Sequence, residues 1–280
     1  MPVSGLDVSI QLDTVGVPFA WWRDAAIRLE AAGYDGVRCW DHFVRRIRPA
    51  KSVLECWTTI TAVAAATSRI SVGPFVLNLM NRHPALVARM AATLQEASGG
   101  RLVLGIGIGG YASEHTAYGL AYPDVGERVA RLEEAIAVLR ALWTGDTVTR
   151  DSAFYPLRDA VALPVPAPPP PIVVAGQSRT GARLAGRIGD GWTCPPEALP
   201  RLLPVYLDAL AAAGRGREDR RIVVGWEGGR SGEDALAGSP WIAAPSEEAA
   251  RWRELGADEV ALIARTEADV RRLEEAAARR

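Results

Sequence analysis

The sequence has few cysteines, hardly any lysine and no long apolar run. Its three cysteines, Cys39, Cys56 and Cys194, are odd in number and widely spaced, so they indicate neither a disulfide scaffold nor a metal knuckle. Arginine supplies almost all of the positive charge, with Lys51 as the exception. No apolar stretch approaches the ~20 residues of a membrane span, and the chain enters its first strand without a charged-then-apolar leader. We therefore expect a soluble cytoplasmic protein with no membrane partner.

The charge balance and the missing motifs exclude several classes of function. A formal net charge of -1 over 280 residues gives no electrostatic field for nucleic acid, so we expect no nucleic-acid partner. The chain has neither a nucleophile elbow with a Ser-His-Asp set nor a phosphate-binding P-loop. Hydrolase and kinase functions therefore have no support in the sequence.

The stretch from Arg82 to Gly110 is the most informative part of the chain. His83-Pro84 gives an extended step and then a favourable first helical residue, after which apolar residues recur at helical spacing. Ser98-Gly99-Gly100 ends this helix, a short apolar strand follows over 102–106, and glycines end the strand. A helix leading into a buried strand with a glycine-rich exit is one unit of a parallel α/β protein.

The same alternation continues along the whole chain. The predicted strands cover 8–11, 36–40, 70–77, 102–106, 172–175, the segment around Trp192, 222–226 and 259–263. The predicted helices cover 19–32, 54–66, 84–97, 127–142, 181–188 and 199–213, with further helices on either side of the last strand. Eight such units indicate closure into an α/β fold of the (β/α)8 TIM-barrel type, in a single domain over 1–280.

Two segments interrupt this alternation. The connection 145–171 is long and holds Pro164, Pro166 and a run of prolines over 168–171, which favours a stiff spacer and excludes a central strand. The segment 225–246 is rich in Gly, Ser and Asp, and we expect a loop over the barrel mouth.

Several motifs resemble the bacterial luciferase-like oxidoreductases, a superfamily of flavin- and deazaflavin-dependent (β/α)8 barrels. Besides the 82–110 stretch, they are Cys39-Trp40-Asp41-His42-Phe43 and the segments 68–73, 114–119, 122–128 and 187–192. The matches run in order from about Val8 to Thr193, and the remaining third of the chain resembles the superfamily only loosely.

The resemblance extends to the pair Asp41-His42, which is typical of the branch that uses coenzyme F420. In similar enzymes the histidine transfers a proton or stabilises charge, so the resemblance marks His42 as catalytic, and it marks Asp41 as a cofactor contact. The chemistry is consistent, since imidazole exchanges protons near neutral pH. A sugar-phosphate dehydrogenase of this branch has tryptophan and glutamate where this chain has Arg46 and Gly110. The resemblance therefore implies hydride transfer but argues against a sugar-phosphate substrate.

The ends of the third and fourth predicted strands are further candidates for cofactor binding. By resemblance, a non-proline cis peptide is expected between Phe75 and Val76, forming a bulge behind the cofactor ring. Asn78 offers both a donor and an acceptor to the heteroatoms of the ring. After the fourth strand, Gly107 and Gly109 allow close backbone approach, although their spacing is not that of a dinucleotide fingerprint.

The resemblance implies that the cofactor phosphate binds after the fifth strand. Gly176, Gln177 and Ser178 open a helix there, whose N–H groups and positive dipole end suit a phosphate. Arg179 is either a bidentate phosphate contact or a solvated surface residue. A side chain at Gly176 is expected to project into the ligand space and to leave the fold unchanged.

The substrate pocket is expected to include Trp40 and Trp226. The resemblance adds Glu114 and His115, whose family counterparts lie beside the redox centre or shape the substrate pocket. The two tryptophans end predicted strands, where they can line an aromatic pocket. The adjacent Glu114 and His115 lack a second ligand cluster, so no metal site is predicted.

These residues together favour an F420-dependent oxidoreductase acting on a small-molecule substrate, with a homodimer left open. The alternative in the same class is an FMN-dependent monooxygenase, in which reduced flavin activates oxygen. A catalytically silent cofactor-binding barrel is a third hypothesis.

Overall fold

A computed structural model describes residues 5–44, 51–218, 220–227 and 236–280. The strands are β1 Asp7–Leu12, β2 Gly36–Cys39, β3 Ser71–Pro74, β4 Leu77–Asn78, β5 Leu104–Gly107, β6 Val148–Arg150, β7 Leu157–Ala160, β8 Ile172–Ala175, β9 Gly191–Cys194, β10 Arg221–Trp226 and β11 Glu259–Ala264. The helices are α1 Phe19–Ala31, α2 Cys56–Ala66, α3 Pro84–Ala97, α4 Ala112–Ala117, α5 Val125–Leu142, α6 Arg179–Ile188, α7 Leu199–Ala212, α8 Pro240–Ala243, α9 Pro245–Glu254 and α10 Glu267–Ala277.

Nine strands form one parallel sheet that closes into a barrel. Its order is β3-β2-β1-β11-β10-β9-β8-β5-β4. The two end strands, β3 and β4, are halves of one strand, because only Phe75 and Val76 separate them in the chain. A parallel bridge between Val72 and Leu102 completes the contact between β3 and the chain before β5. Eight strand positions with helices between them confirm the predicted (β/α)8 barrel.

The sequence encodes this barrel through strands that are buried on both faces. Ile10 and Leu12 of β1 point outward to the helices, while Ser9 and Gln11 point into the barrel. At the amino-terminal ends of the strands, Glu259 of β11 accepts from Ser9 Oγ at 2.5 Å.

A buried charge pair fills this lower end of the barrel. Arg38 of β2 donates to Glu259 at 2.7 Å, and both side chains are buried. Burial alone raises the pKa of Glu259, but Arg38 and Arg221 outweigh it and lower that pKa. The lower end of the barrel is therefore filled by a polar cluster, which leaves the opposite end open for a site.

The structure adds three features that the sequence patterns did not predict. The segment predicted as one strand over 70–77 is split between β3 and β4. The short helix α4 lies between the predicted strand 102–106 and the predicted helix 127–142, where no helix was predicted. The connection 145–171 contains the antiparallel pair β6–β7, although its prolines lie outside the barrel sheet as predicted.

The predicted mouth loop 225–246 is described only in part. Residues 228–235 lie outside the described residues, and α8 begins at Pro240. In the part of the chain that is described, no helix combines the length and hydrophobicity needed to cross a bilayer.

Candidate functional site

A cavity of about 1010 Å³ lies at the carboxyl ends of the barrel strands. Most of the predicted site residues line it together: Trp40, Asp41, His42, Phe75, Val76, Asn78, Gly107, Gly109, Gly176, Gln177 and Ser178. They come from the ends of four barrel strands, β2, the interrupted strand β3–β4, β5 and β8, which meet because parallel strands of a barrel all end on one face. The remaining three, Glu114, His115 and Trp226, are not in the wall of this cavity.

His42 is held in the cavity wall by one hydrogen bond and two aromatic contacts. Its Nδ1 lies 3.1 Å from Oε2 of Glu114, and its side chain is 33% exposed. Tyr111 packs against the ring with centroids 4.8 Å apart, and Trp40 meets it edge-on at 6.1 Å. A carboxylate only accepts, so Nδ1 is the donor of this bond, and in the neutral form of the ring Nε2 has the free lone pair.

The carboxylate of Asp41 is engaged by the protein itself. Oδ2 accepts from the backbone N–H of Asn78 at 2.9 Å and from Arg82 Nη1 at 2.7 Å, while Oδ1 accepts from Arg82 Nη2 at 3.0 Å. Arg82 also pairs with Glu55 at 2.5 Å. Burial lowers the pKa of Arg82, but its two carboxylate partners outweigh this and raise it. This bidentate pair fixes the end of β2 to the end of β4.

The side chain of Asn78 is also satisfied within the protein. Its Oδ1 accepts from Met80 N–H at 3.1 Å, and its Nδ2 donates to Asn81 Oδ1 at 3.1 Å and to His115 Nε2 at 3.2 Å. His115 is fully buried, and its Nδ1 donates to the carbonyl of Tyr111 at 3.0 Å. The amide that is expected to contact the cofactor lines the cavity, and these hydrogen bonds fix its position there.

The predicted cis peptide is present between Phe75 and Val76. Its residues form the cavity wall between the two halves of the interrupted strand. A Cβ added to Gly107 would lie 3.1 Å from Val76 Cγ2, so this glycine lets the strand end pass close to the bulge. Gly109 has φ +78°, and a Cβ there would lie 2.5 Å from Asn78 Oδ1.

Two arginines that the sequence analysis did not assign, the half-buried Arg82 and the buried Arg128, hold these strand ends. Arg82 forms the pair with Asp41 described above. Arg128 of α5 donates to the carbonyls of Ile108 at 3.1 Å and Gly109 at 2.9 Å. Its guanidinium lies 4.0 Å from the ring centre of Tyr122. Both arginines lie in motifs that carried the resemblance, which was the available signal, but sequence could not show that they bind backbone or carboxylate groups.

The amino-terminal end of α6 opens into the cavity. Gly176, Gln177, Ser178 and Thr180 line it, and Ser178 Oγ caps the helix by accepting from Gly181 N–H at 3.1 Å. Other N–H groups of the first turn have no intrahelical partner, so an anion can bind there.

The expectation for a side chain at Gly176 was wrong. A Cβ at this position would lie 2.5 Å from the carbonyl carbon of Gly181 and 2.9 Å from the nitrogen of Ala182. It would therefore collide with the backbone of α6 instead of entering the ligand space. Gly176 and Gly181 face each other so that the strand exit and the helix can touch.

The polar side chains of the cavity wall that were not predicted include Gln11, Thr14 and Glu227. Gln11 lies near the end of β1, and Thr14 follows that strand. Both side chains are buried, and Gln11 Nε2 and Thr14 Oγ1 have no hydrogen-bond partner among the described residues. Glu227 lies beyond β10. The wall also holds Cys194, whose thiol pKa is raised to about 12 by burial and by nearby Glu197. Isolated polar residues at strand ends have no sequence pattern that would single them out.

The three residues outside the wall are displaced for simple geometric reasons. Side chains alternate along β10, so Gly225 faces the cavity and Trp226 packs against the outer core. Glu114 and His115 lie on α4 with side chains turned inward, toward His42 and Asn78. In the described parts of the chain, no three His, Cys, Asp or Glu residues gather in a group that could hold a metal.

Known proteins share this sequence pattern. The chain is 37% identical over 194 residues to an F420-dependent glucose-6-phosphate dehydrogenase of Beutenbergia cavernae, covering 69% of this chain and 57% of that protein. It is 37% identical over 214 residues to a protein of the same name from Kineococcus radiotolerans, covering 72% and 62%. The chain therefore spans about three-fifths of the length of these curated relatives.

Solved structures share the fold over nearly the whole chain. An F420-dependent secondary alcohol dehydrogenase in complex with an F420-acetone adduct superposes with a TM-score of 0.85, at 20% identity, covering 99% of this chain and 98% of the other. The coenzyme F420-dependent tetrahydromethanopterin reductase of Methanopyrus kandleri gives 0.77 at 16% identity, covering 99% and 98%.

A family model described as luciferase-like monooxygenase matches residues 7–228, which include β1 to β10 and most of the cavity wall. The match covers well over half of the chain, and its barrel and motifs agree with the architecture described above. The chain belongs to the luciferase-like monooxygenase family.

Proposed function

We propose that the protein is an oxidoreductase that transfers a hydride between coenzyme F420 and a small organic substrate. The observation that carries the proposal is the convergence of His42 and all of the expected cofactor contacts on one cavity at the catalytic face of the barrel. The curated relatives, which are named as F420-dependent, support the deazaflavin over FMN.

The cavity has features that fit a large cofactor with a ring and a phosphate. Phe75 and Val76 offer a wall for the ring, and the two close glycine approaches at Gly107 and Gly109 leave space beside it. The first turn of α6 would hold a phosphate through its N–H groups. When bound, F420 supplies a carbon centre that accepts or donates hydride.

His42 would donate or accept the proton that accompanies hydride transfer. Its Nε2 is the nitrogen with a free lone pair, because Nδ1 donates to Glu114. Trp40 and Tyr111, which pack on the ring, also line the cavity and would exclude water from it.

We also propose that the substrate is not a sugar phosphate. Gly110 leaves open space where a similar enzyme has a glutamate, since a Cβ there would meet no atom within 4 Å. Arg46, the other differing position, lies outside the described residues. Asp41 and Glu227 are the acidic residues in the described wall.

Titration of the purified protein with F420 and with FMN tests the cofactor. We expect F420 to bind at least about ten-fold more tightly, a difference of about 1.4 kcal/mol. Tighter binding of FMN would favour the monooxygenase alternative, and binding of neither would contradict the proposed site.

Replacement of the histidine tests the chemistry. His42→Ala is expected to lower turnover by about 100-fold or more, with cofactor affinity changed by only a few-fold. Unchanged turnover would assign His42 to a structural role, and a cofactor-loaded protein that turns over none of a broad panel of alcohols and carbonyls would favour the silent barrel.

A further inference from the structure

Glu114 lies outside the cavity but forms a hydrogen bond to His42, whose side chain lines the cavity. Its carboxylate is 3% exposed, and the residue is not in the cavity wall. Oε2 accepts from His42 Nδ1 at 3.1 Å, while Oε1 accepts from the backbone N–H of Val44 at 3.3 Å. The two hydrogen bonds fix the carboxylate relative to the chain that follows β2.

The other contacts of His42 do not determine which ring nitrogen faces the cavity. Tyr111 and Trp40 contact the ring through apolar surfaces, at an interplanar angle of 36° and edge-on at 86° respectively. A two-fold flip of an imidazole exchanges its nitrogen and carbon positions while leaving such ring contacts nearly unchanged. The hydrogen bond to Glu114 distinguishes the two orientations.

We propose that Glu114 is a positioning residue that fixes the orientation and tautomer of His42, so that Nε2 presents its lone pair to the cavity. The proposal rests on the function proposed above, in which His42 exchanges a proton. That proton enters and leaves at Nε2, while the Nδ1 hydrogen stays with Glu114. The carboxylate also faces the positive charge that the ring acquires when Nε2 is protonated.

The tautomer can be measured without cofactor or substrate. The chain has three histidines, so ¹⁵N NMR of the cofactor-free protein gives few signals, and His42→Asn assigns the relevant one. In alkaline solution, where imidazole is neutral, we expect the wild-type ring to be protonated at Nδ1.

Two substitutions of Glu114 then separate the hydrogen bond from the packing. Glu114→Gln should keep the Nδ1–H tautomer, because its single amide oxygen can still accept from His42, while the longer hydrogen bond from Val44 N–H is lost. Glu114→Met, of similar length but without an acceptor, should give the other tautomer or a mixture. An unchanged Nδ1–H signal in the folded Met variant would overturn the proposal.

Turnover supplies the second readout. Glu114→Met should lower kcat by about 10-fold or more with KM changed by only a few-fold, and Glu114→Gln should recover much of that loss. Wild-type kcat in the folded Met variant would contradict the positioning role.

Glu134 provides the matched control. Like Glu114 it accepts backbone hydrogen bonds, from Phe154 at 3.2 Å and Tyr155 at 2.8 Å, but it belongs to α5 and lies in a separate outer groove. Glu134→Gln should lower stability without altering the signal of His42. An equal loss of kcat in this variant would assign the effect of Glu114 to stability.

The outcomes also separate this proposal from the proposed function. If Glu114→Met changes the tautomer while His42→Ala keeps full turnover, the proton role of His42 fails and the structural pairing stands. If His42→Ala abolishes turnover while both Glu114 variants keep the tautomer and kcat, the positioning role fails and the proposed function stands.

Discussion

Gly176→Ala should destabilise the protein by driving apart the exit of β8 and the start of α6. The added Cβ would lie 2.5 Å from the carbonyl carbon and 2.8 Å from the carbonyl oxygen of Gly181. Carbon atoms without a bond between them normally stay about 3.5–4.0 Å apart, so the two backbones must separate by about 1 Å. Backbone atoms on both sides leave no flexible side chain to move aside.

Overpacking of this kind costs about 1–3 kcal/mol. We expect a loss of about 2 kcal/mol in the free energy of unfolding, which lowers the Tm by about 3–4 °C for a chain of 280 residues. Because α6 begins in the cavity wall, cofactor affinity should fall in the same variant. Thermal melts and fluorescence titration with F420 measure the two effects.

Gly110→Ala is the matched control for stability. A Cβ there meets no atom within 4 Å, and its φ lies outside the positive range. Its free energy of unfolding should stay within about 0.5 kcal/mol of wild type. If the Gly176→Ala protein is as stable as the Gly110→Ala protein, the reasoning from backbone contact is refuted. If the Gly176→Ala protein keeps full cofactor affinity, the phosphate binds elsewhere.

The other expectations concern strain, charge and thiol reactivity. Gly109→Ala should cost about 1–3 kcal/mol in urea denaturation, because φ is +78° and the new Cβ would crowd an amide oxygen at 2.5 Å; a neutral result would contradict this. Arg82→Met should cost about 3–5 kcal/mol, since it leaves the buried carboxylate of Asp41 without its bidentate partner. A loss below about 1 kcal/mol, the range of exposed ion pairs, would contradict that estimate. Glu259 has a lowered pKa in the folded protein, so its stabilising contribution is present above the unfolded value of about 4.3 and is lost as the pH falls through the folded value. Unfolding measured from about pH 7 to about pH 3 should therefore depend less steeply on pH in Glu259→Gln, and an identical profile would refute this. The thiol of Cys194, with a pKa of about 12, should resist alkylation at about pH 8 although it lines the cavity, and rapid labelling of the folded protein would count against it.

Local patterns in the sequence determined the barrel. Strands buried on both faces read as short apolar runs, and helices show 3.6-residue periodicity, so their alternation predicts a parallel closed sheet. The predicted bounds of β8 agree with the structure, and α3 begins at Pro84 and ends at Ala97 before its Ser-Gly-Gly stop. The pair β6–β7 was missed because Val148–Arg150 and Leu157–Ala160 are short and contain polar residues, so neither forms an apolar run like β8, and their pairing is itself tertiary.

The candidate site was predicted as a set of strand ends, but not as a set of contacts. Motifs placed Asp41, His42 and Asn78 at the right ends, since parallel strands bring these ends to one face. Which hydrogen bonds they form depends on side chains far away in the chain, such as Glu114 for His42, 72 residues later.

The sequence by itself thus determined the fold, the family motifs and the face of the barrel on which the site lies. Only the tertiary structure decided that Asp41 is tied to Arg82, that Glu114 lies behind His42 and that Gly176 packs against Gly181. The physical reason is range: periodicity and turn chemistry act over a few neighbouring residues, whereas a hydrogen bond or a steric contact depends on distances that exist only once the barrel has closed.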